Sequence, residues 1–130
     1  MKKNLLGIAV LLVLPFSICH AEDVDGWRTF DIDKNSVLNI GEFGSYKSML
    51  YIELDTNLDG RWTRSEFVKR PSYMRRMNVD FLRSKFKRSD KDGDGFLSLA
   101  EVEKMIKNNF RWLDKDKSKT ITVKEMPKNF

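Results

Sequence analysis

Residues 90–101 read DKDGDGFLSLAE. Oxygen-bearing side chains fall at Asp90, Asp92, Asp94, Ser98 and Glu101, with a glycine at 95. Four carboxylates within these 12 residues repel one another and favour water. The stretch is therefore either a solvated loop or the negative half of a site whose other half is a cation.

The same spacing recurs at 31–42 (DIDKNSVLNIGE), 55–66 (DTNLDGRWTRSE) and 114–125 (DKDKSKTITVKE). Each copy has Asp at position 1, an oxygen side chain at positions 3, 5 and 9, an apolar residue at 8 and Glu at 12. Calcium is a hard cation that takes about 6–8 oxygen ligands, and this spacing supplies them. Loop one offers Asp31, Asp33, Asn35, the carbonyl of Val37, Asn39 and Glu42; loop two offers Asp55, Asn57, Asp59, the carbonyl of Arg61, Thr63 and Glu66. Loop three offers Asp90, Asp92, Asp94, the carbonyl of Phe96, Ser98 and Glu101; loop four offers Asp114, Asp116, Ser118, the carbonyl of Thr120, Thr122 and Glu125. Position 6 must turn with φ > 0, which favours glycine.

Four copies in one register resemble the EF-hand family of the calmodulin superfamily, and in particular small exported bacterial EF-hand proteins. The match covers nearly all of residues 22–130. The resemblance implies an all-α fold of helix–loop–helix repeats with Ca2+ as the cofactor. It also implies one compact domain, with short two-residue strand contacts between paired loops.

The flanks agree with the loops. Trp27, Phe86 and Phe110 stand four residues before the first aspartates of loops one, three and four, Leu50 stands five before that of loop two, and Phe30, Leu54 and Leu113 directly precede three of them, which defines one helical face. On the exit side Asn39/Glu42, Thr63/Glu66, Ser98/Glu101 and Thr122/Glu125 each read as a capping box, so the last ligand of every loop should also start a helix. The loops are unequal. Loop three has four carboxylates and Gly95, and loop two keeps Gly60, whereas Ser36 and Lys119 occupy the turn in loops one and four. A non-glycine residue in the left-handed region costs about 1 kcal/mol, so loops three and two should bind ahead of one and four.

Spacing also predicts which loops pair. Residues 43–54 and 102–113 each read as one helix of about 18 Å, which holds loops one and two, and loops three and four, at opposite ends. Residues 67–89 leave room for an exit helix ended by Pro71, a turn and an entering helix. Loops two and three should therefore pair through Trp62 and Leu97. If the two long helices lie side by side, loops one and four meet through Leu38 and Ile121. Loop one has only a short lead-in, and Pro127 should stop any long helix after loop four.

The start of the chain follows different rules. Lys2 and Lys3, an apolar run from Leu5 to Ile18, and Cys19-His20-Ala21 have the form of a secretory signal peptide cleaved after Ala21, which implies a bacterial periplasmic or secreted protein. A retained anchor is disfavoured because the run is short and carries Pro15, and a lipoprotein is disfavoured by bulky Ile18 before the cysteine. Cys19 and His20 are the only Cys and His in the chain, so residues 22–130 hold no thiol or imidazole. That excludes a disulfide framework and nitrogen- or sulfur-ligated zinc, and no nucleophile–base pair suggests an enzyme.

Without Lys2 and Lys3 the chain keeps 22 of its 24 Lys and Arg against 19 Asp and Glu, and 13 of those acids lie in the loops. Calcium would turn a nearly balanced protein into a strongly basic one. Residues 69–89 hold eight basic side chains against one acid, Asp80. Arg75, Arg76, Arg83 and Lys87 are the expected contacts to an acidic protein or an anionic envelope component; nucleic acid is not expected for an exported protein. Met74, Met77, Met49 and Met105 either fill core gaps or line an adaptable groove. Two functions fit this pattern: a calcium sensor or adaptor that presents a surface when loaded, and a passive calcium binder.

Overall fold

The computed structural model describes residues 26–71 and 77–126. The leader at 1–21, Met74, Arg75, Arg76 and Pro127 lie outside the described residues. The chain is mostly helical with two small antiparallel sheets. A 3-10 turn, Gly26–Phe30, leads into strand β1 (Val37–Asn39) and helix α1 (Ile40–Leu54). Strand β2 (Trp62–Thr63), the short helix α2 (Arg64–Val68) and helix α3 (Val79–Ser89) follow. Strand β3 (Phe96–Leu97), helix α4 (Leu99–Leu113) and strand β4 (Thr120–Thr122) complete the order.

Helices α1, α2 and α4 start inside the acidic segments because position 9 caps them. The Asn39 side chain accepts from the N–H of Gly41 and Glu42, and the Glu42 carboxylate accepts from the Asn39 N–H at 3.0 Å. Thr63/Glu66 and Ser98/Glu101 form the same reciprocal box. Each box satisfies two amides that the first helical turn would leave unpaired. The long helices accordingly begin at Ile40 and Leu99, three residues earlier than the sequence spacing alone suggests. Loop four departs from the expectation. Glu125 still accepts from the Thr122 N–H at 3.0 Å, but residues 123–125 form turns, not a helix. The Glu125 N–H donates to the Thr122 carbonyl instead of its hydroxyl, so the box is only half made.

The nested pairing is present. Strands β2 and β3 place Trp62 opposite Leu97, and β1 and β4 place Leu38 opposite Ile121. The β1–β4 ladder has three residue pairs, one more than the expected two. Helices α1 and α4 lie against each other, with the Phe43 and Phe110 rings 5.5 Å apart and edge-on, so each joins one sheet to the other. Phe67 meets Phe86 at 5.9 Å where α2 packs on α3. Leu38, Leu97 and Ile121 are wholly buried in one core with Trp27, Leu54, Trp62, Phe86, Phe110 and Leu113; Phe30 and Leu50 pack on its edge. Burying each such aliphatic or aromatic side chain contributes about 1.5–3 kcal/mol, so the ladders are held by their position-8 side chains more than by their few hydrogen bonds. Met105 is buried and Met77 packs on the core, while Met49 is exposed. Among the described residues no helix is long and apolar enough to cross a membrane.

Candidate metal centres

Each acidic segment begins where a helical element ends. The N–H groups of Asp55, Asp90 and Asp114 donate to the last helical carbonyls, which sets their carboxylates against the negative end of the helix dipole. Position 12 has the opposite setting, in the first turn of the next helix or turn. Local hydrogen bonds aim both groups inward. In loop one Asp31 accepts from the N–H of Asn35 at 3.1 Å and of Ser36 at 2.9 Å. Asp55 does the same with Asp59 and Gly60, and Asp114 with Ser118 and Lys119. Loop three is tighter by one residue: Asp90 accepts from Gly93 at 2.8 Å and from Gly95 at 3.1 Å.

The closing glutamate is anchored identically in all four segments. One carboxylate oxygen accepts from the N–H of position 2 (Ile32, Thr56, Lys91, Lys115) and the other from position 9 (Asn39, Thr63, Ser98, Thr122). A carboxylate has about four lone-pair sites, so these bonds orient Glu42, Glu66, Glu101 and Glu125 and leave both oxygens able to meet a cation. The bonds also tune acidity. The Ser98 N–H, helped by Lys91 and Asp92, holds Glu101 below the usual carboxylate range, and the Thr122 N–H does the same for Glu125. For Glu66, burial pushes upward, but hydrogen bonds from Thr63, Thr56 and Asn57 outweigh it and leave the group low.

Positions 3 and 5 complete the lining. Asp33, Asn57, Asp92 and Asp116 each accept from the N–H of position 5. Asn35, Asp59, Asp94 and Ser118 each accept from the N–H of position 7, the residues whose carbonyls the spacing assigns as ligands. Asp92, at position 3 of loop three, is held above its usual range. The Asp94 N–H pulls it down, but burial and the charges of Asp94 and Glu101 prevail. Asp116 moves the other way, lowered by its hydrogen bonds from Ser118.

Three carboxylates approach within 4.8 Å in three of the segments: Asp31, Asp33 and Glu42; Asp90, Asp92 and Asp94; Asp114, Asp116 and Glu125. These clusters could hold a metal ion. Loop two forms no such triad among the described residues. There Asn57 replaces one carboxylate, and Arg61 draws Asp59 into an ion pair at 3.3 Å. The Arg61 guanidinium also lies 4.1 Å from the Phe96 ring centre, which ties loop two to loop three. Sequence reading took Arg61 only for its carbonyl and missed this side chain; an arginine two residues after an aspartate was the available signal.

The backbone holds a second feature the sequence reading missed. Position 6 is left-handed in every loop, as expected, but so is position 4: Lys34 and Ser36, Leu58 and Gly60, Gly93 and Gly95, Lys117 and Lys119. Two left-handed residues flanking position 5 fold six residues into a nest of inward N–H groups. Gly93 hinted at this, but Lys, Leu and Lys at the equivalent positions conceal it.

Of the expected partner contacts, Arg83 and Lys87 are exposed one turn apart on α3, with Arg83 paired to Asp80 at 3.4 Å. Arg75 and Arg76 lie outside the described residues. No model of a known protein family matches the chain, and no curated protein matches it.

Proposed function

We propose that the chain is an exported EF-hand protein that binds calcium in four loops and, when loaded, presents a basic surface to an anionic envelope partner. One observation carries the calcium reading. Four separate segments repeat one pattern of left-handed residues and carboxylate anchoring, and every side chain assigned to a ligand position is an oxygen donor. Hard oxygen donors without nitrogen or sulfur suit calcium, and a flexible 12-residue loop suits it better than magnesium, which demands a tight octahedron. Bound calcium would supply the positive charge that Asp92 and its neighbours lack, and the ligand set is the one given above for each loop.

The basic surface follows from charge. Four calcium ions would cancel the acidic loops and leave α3, with Arg83 and Lys87, and the Arg75–Arg76 stretch as the dominant field. Calorimetry should therefore find calcium binding that magnesium mimics poorly, and vesicles of anionic lipid should sediment the protein with calcium but not with chelator. Calcium binding without any calcium-dependent partner would favour a passive binder. That second reading draws on Met105 and Met77, which pack in or against the core and so do not line an open groove. Absence of calcium binding would overturn both.

A further inference from the structure

On the calcium reading proposed above, we infer that the Arg61 side chain is a tethered cation that makes loop two the last of the four loops to fill, with Phe96 of loop three holding it in place. Position 7 serves each loop through its carbonyl, so its side chain is free to differ. Val37, Phe96 and Thr120 are neutral there, and Arg61 is charged. Both oxygens of Asp59 are engaged by this arginine. One accepts from the Arg61 backbone N–H at 3.1 Å; the other accepts from Arg61 Nε at 3.3 Å and from the Asn57 amide at 3.3 Å. Loop three has an uncharged ring at the same place, and there Asp90, Asp92 and Asp94 gather within 4.8 Å.

An exposed ion pair is weak by itself, because two flexible side chains must be held in one geometry and water screens them. Phe96 removes much of that cost. The Arg61 guanidinium lies 4.1 Å from the centre of its half-buried ring, well within cation–π range. The ring stands there because Thr63 pairs with Phe96 across the β2–β3 ladder, two residues beyond Arg61. The clamp on Asp59 is thus built from both loops. Asp59 can meet a cation only by giving up the guanidinium, whose positive charge then remains beside the site. Both effects oppose filling of loop two. Neither has a counterpart at position 7 of loops one and four, where three carboxylates converge. Gly60 relieves the turn that Ser36 and Lys119 strain, so the arginine reverses the order that the backbone favours. Loops one, three and four then respond to low calcium, and loop two to a higher level.

Each loop carries its own reporter, since the position-6 N–H groups of Ser36, Gly60, Gly95 and Lys119 donate to Asp31, Asp55, Asp90 and Asp114. Calcium is titrated into the purified full chain while these four amides are followed by NMR. The Gly60 amide should move last. Arg61→Gln should lower the calcium concentration for its half-change about three- to tenfold and leave Ser36 and Lys119 within about twofold. Arg64→Gln, which removes an exposed charge beside the same loop, should leave Gly60 within about twofold. Phe96→Leu should give part of the Arg61→Gln effect at Gly60 in the wild type and none in the Arg61→Gln background, because the ring acts through the guanidinium. A merely structural ring would shift both backgrounds equally. In chelator the Arg61 Nε–H signal should lie upfield, over the ring, and move back in Phe96→Leu. A Gly60 amide that titrates with or ahead of Ser36 and Lys119, or that ignores Arg61→Gln, overturns the inference and leaves the calcium reading standing. Four amides that all ignore calcium overturn the calcium reading and the role of Arg61 with it.

Discussion

The two ends of the molecule solve one backbone problem differently. At the β2–β3 end, three of the four left-handed positions are glycines (Gly60, Gly93, Gly95) and only Leu58 is strained. At the β1–β4 end all four are side-chain-bearing residues: Lys34, Ser36, Lys117 and Lys119. Each such residue costs about 1–2 kcal/mol, and strain of this kind persists only where its surroundings over-determine it. The strained end is also the one with the longer ladder, three residue pairs against two. Strained turns are thus held by added pairing, whereas unstrained turns need less of it.

The largest effects should come from the position-8 side chains that anchor the two ladders. Leu97→Ala and Ile121→Ala should each lower stability by about 2–5 kcal/mol, since both side chains are wholly buried. Because α1 and α4 connect the two ends, each variant should still melt in a single urea transition. A separate early transition in Ile121→Ala would show that the ends fold independently and would break the comparison.

Metal affinity comes next. Glu101→Gln should cost the tightest calcium site tenfold or more, about 1.4 kcal/mol per decade, and Glu125→Gln should affect only a weaker one. Calorimetry that assigned the tightest site to Glu125 would reverse the ranking. Loop two sharpens the point, because Asp59 is shared with Arg61 and the segment forms no carboxylate triad. Arg61→Gln should free Asp59 and tighten that site severalfold.

Smaller effects test the strain itself. Gly95 has open space around its missing Cβ and φ of 84°, so Gly95→Ala should cost about 1–2 kcal/mol from backbone conformation alone. Lys119→Gly, at φ of 63°, should stabilise by less than about 1 kcal/mol, because the glycine also adds freedom to the unfolded chain. Thermal melts in chelator compare the two. Equal and negligible shifts would remove strain as the difference between the ends.

The smallest contrast is in pH dependence without calcium. Asp116 and Glu125 are both held below their ordinary values, so the stability they contribute is present above about pH 4.3 and is lost as pH falls through their folded values. In loop three Glu101 behaves likewise, but Asp92 is raised and opposes it, because its ionised form is the less favoured one in the fold. Asp116→Asn should therefore lower stability at pH 7 in chelator, and Asp92→Asn should raise it. Chemical denaturation at pH 7 and pH 3 provides the measurement, and effects of the same sign would contradict the crowding at Asp92.

Much of this architecture was legible in the chain itself. Period-four apolar residues such as Phe86 and Phe110 mark helix faces, and a 12-residue oxygen spacing recurs in four places. Helix length keeps loop one from loop two and loop three from loop four, the longer 67–89 connection lets β2 meet β3, and β1 meets β4 once α1 and α4 lie side by side. These are local or one-dimensional constraints, which a sequence carries in full. What only the tertiary structure decided depends on groups distant in sequence or on dihedral angles that residue type does not dictate. Lysine is left-handed at 34, 117 and 119 because the surrounding nest of hydrogen bonds requires it, against its own preference. Thr122 and Glu125 have the letters of a helix start, yet the reciprocal bond to the Thr122 hydroxyl is not made and turns follow. Arg61 reaches Phe96 only because β2 lies beside β3, and Phe67 meets Phe86 only because α2 packs on α3. Spacing along a chain determines which side chains share a face; only the assembled core determines which faces meet.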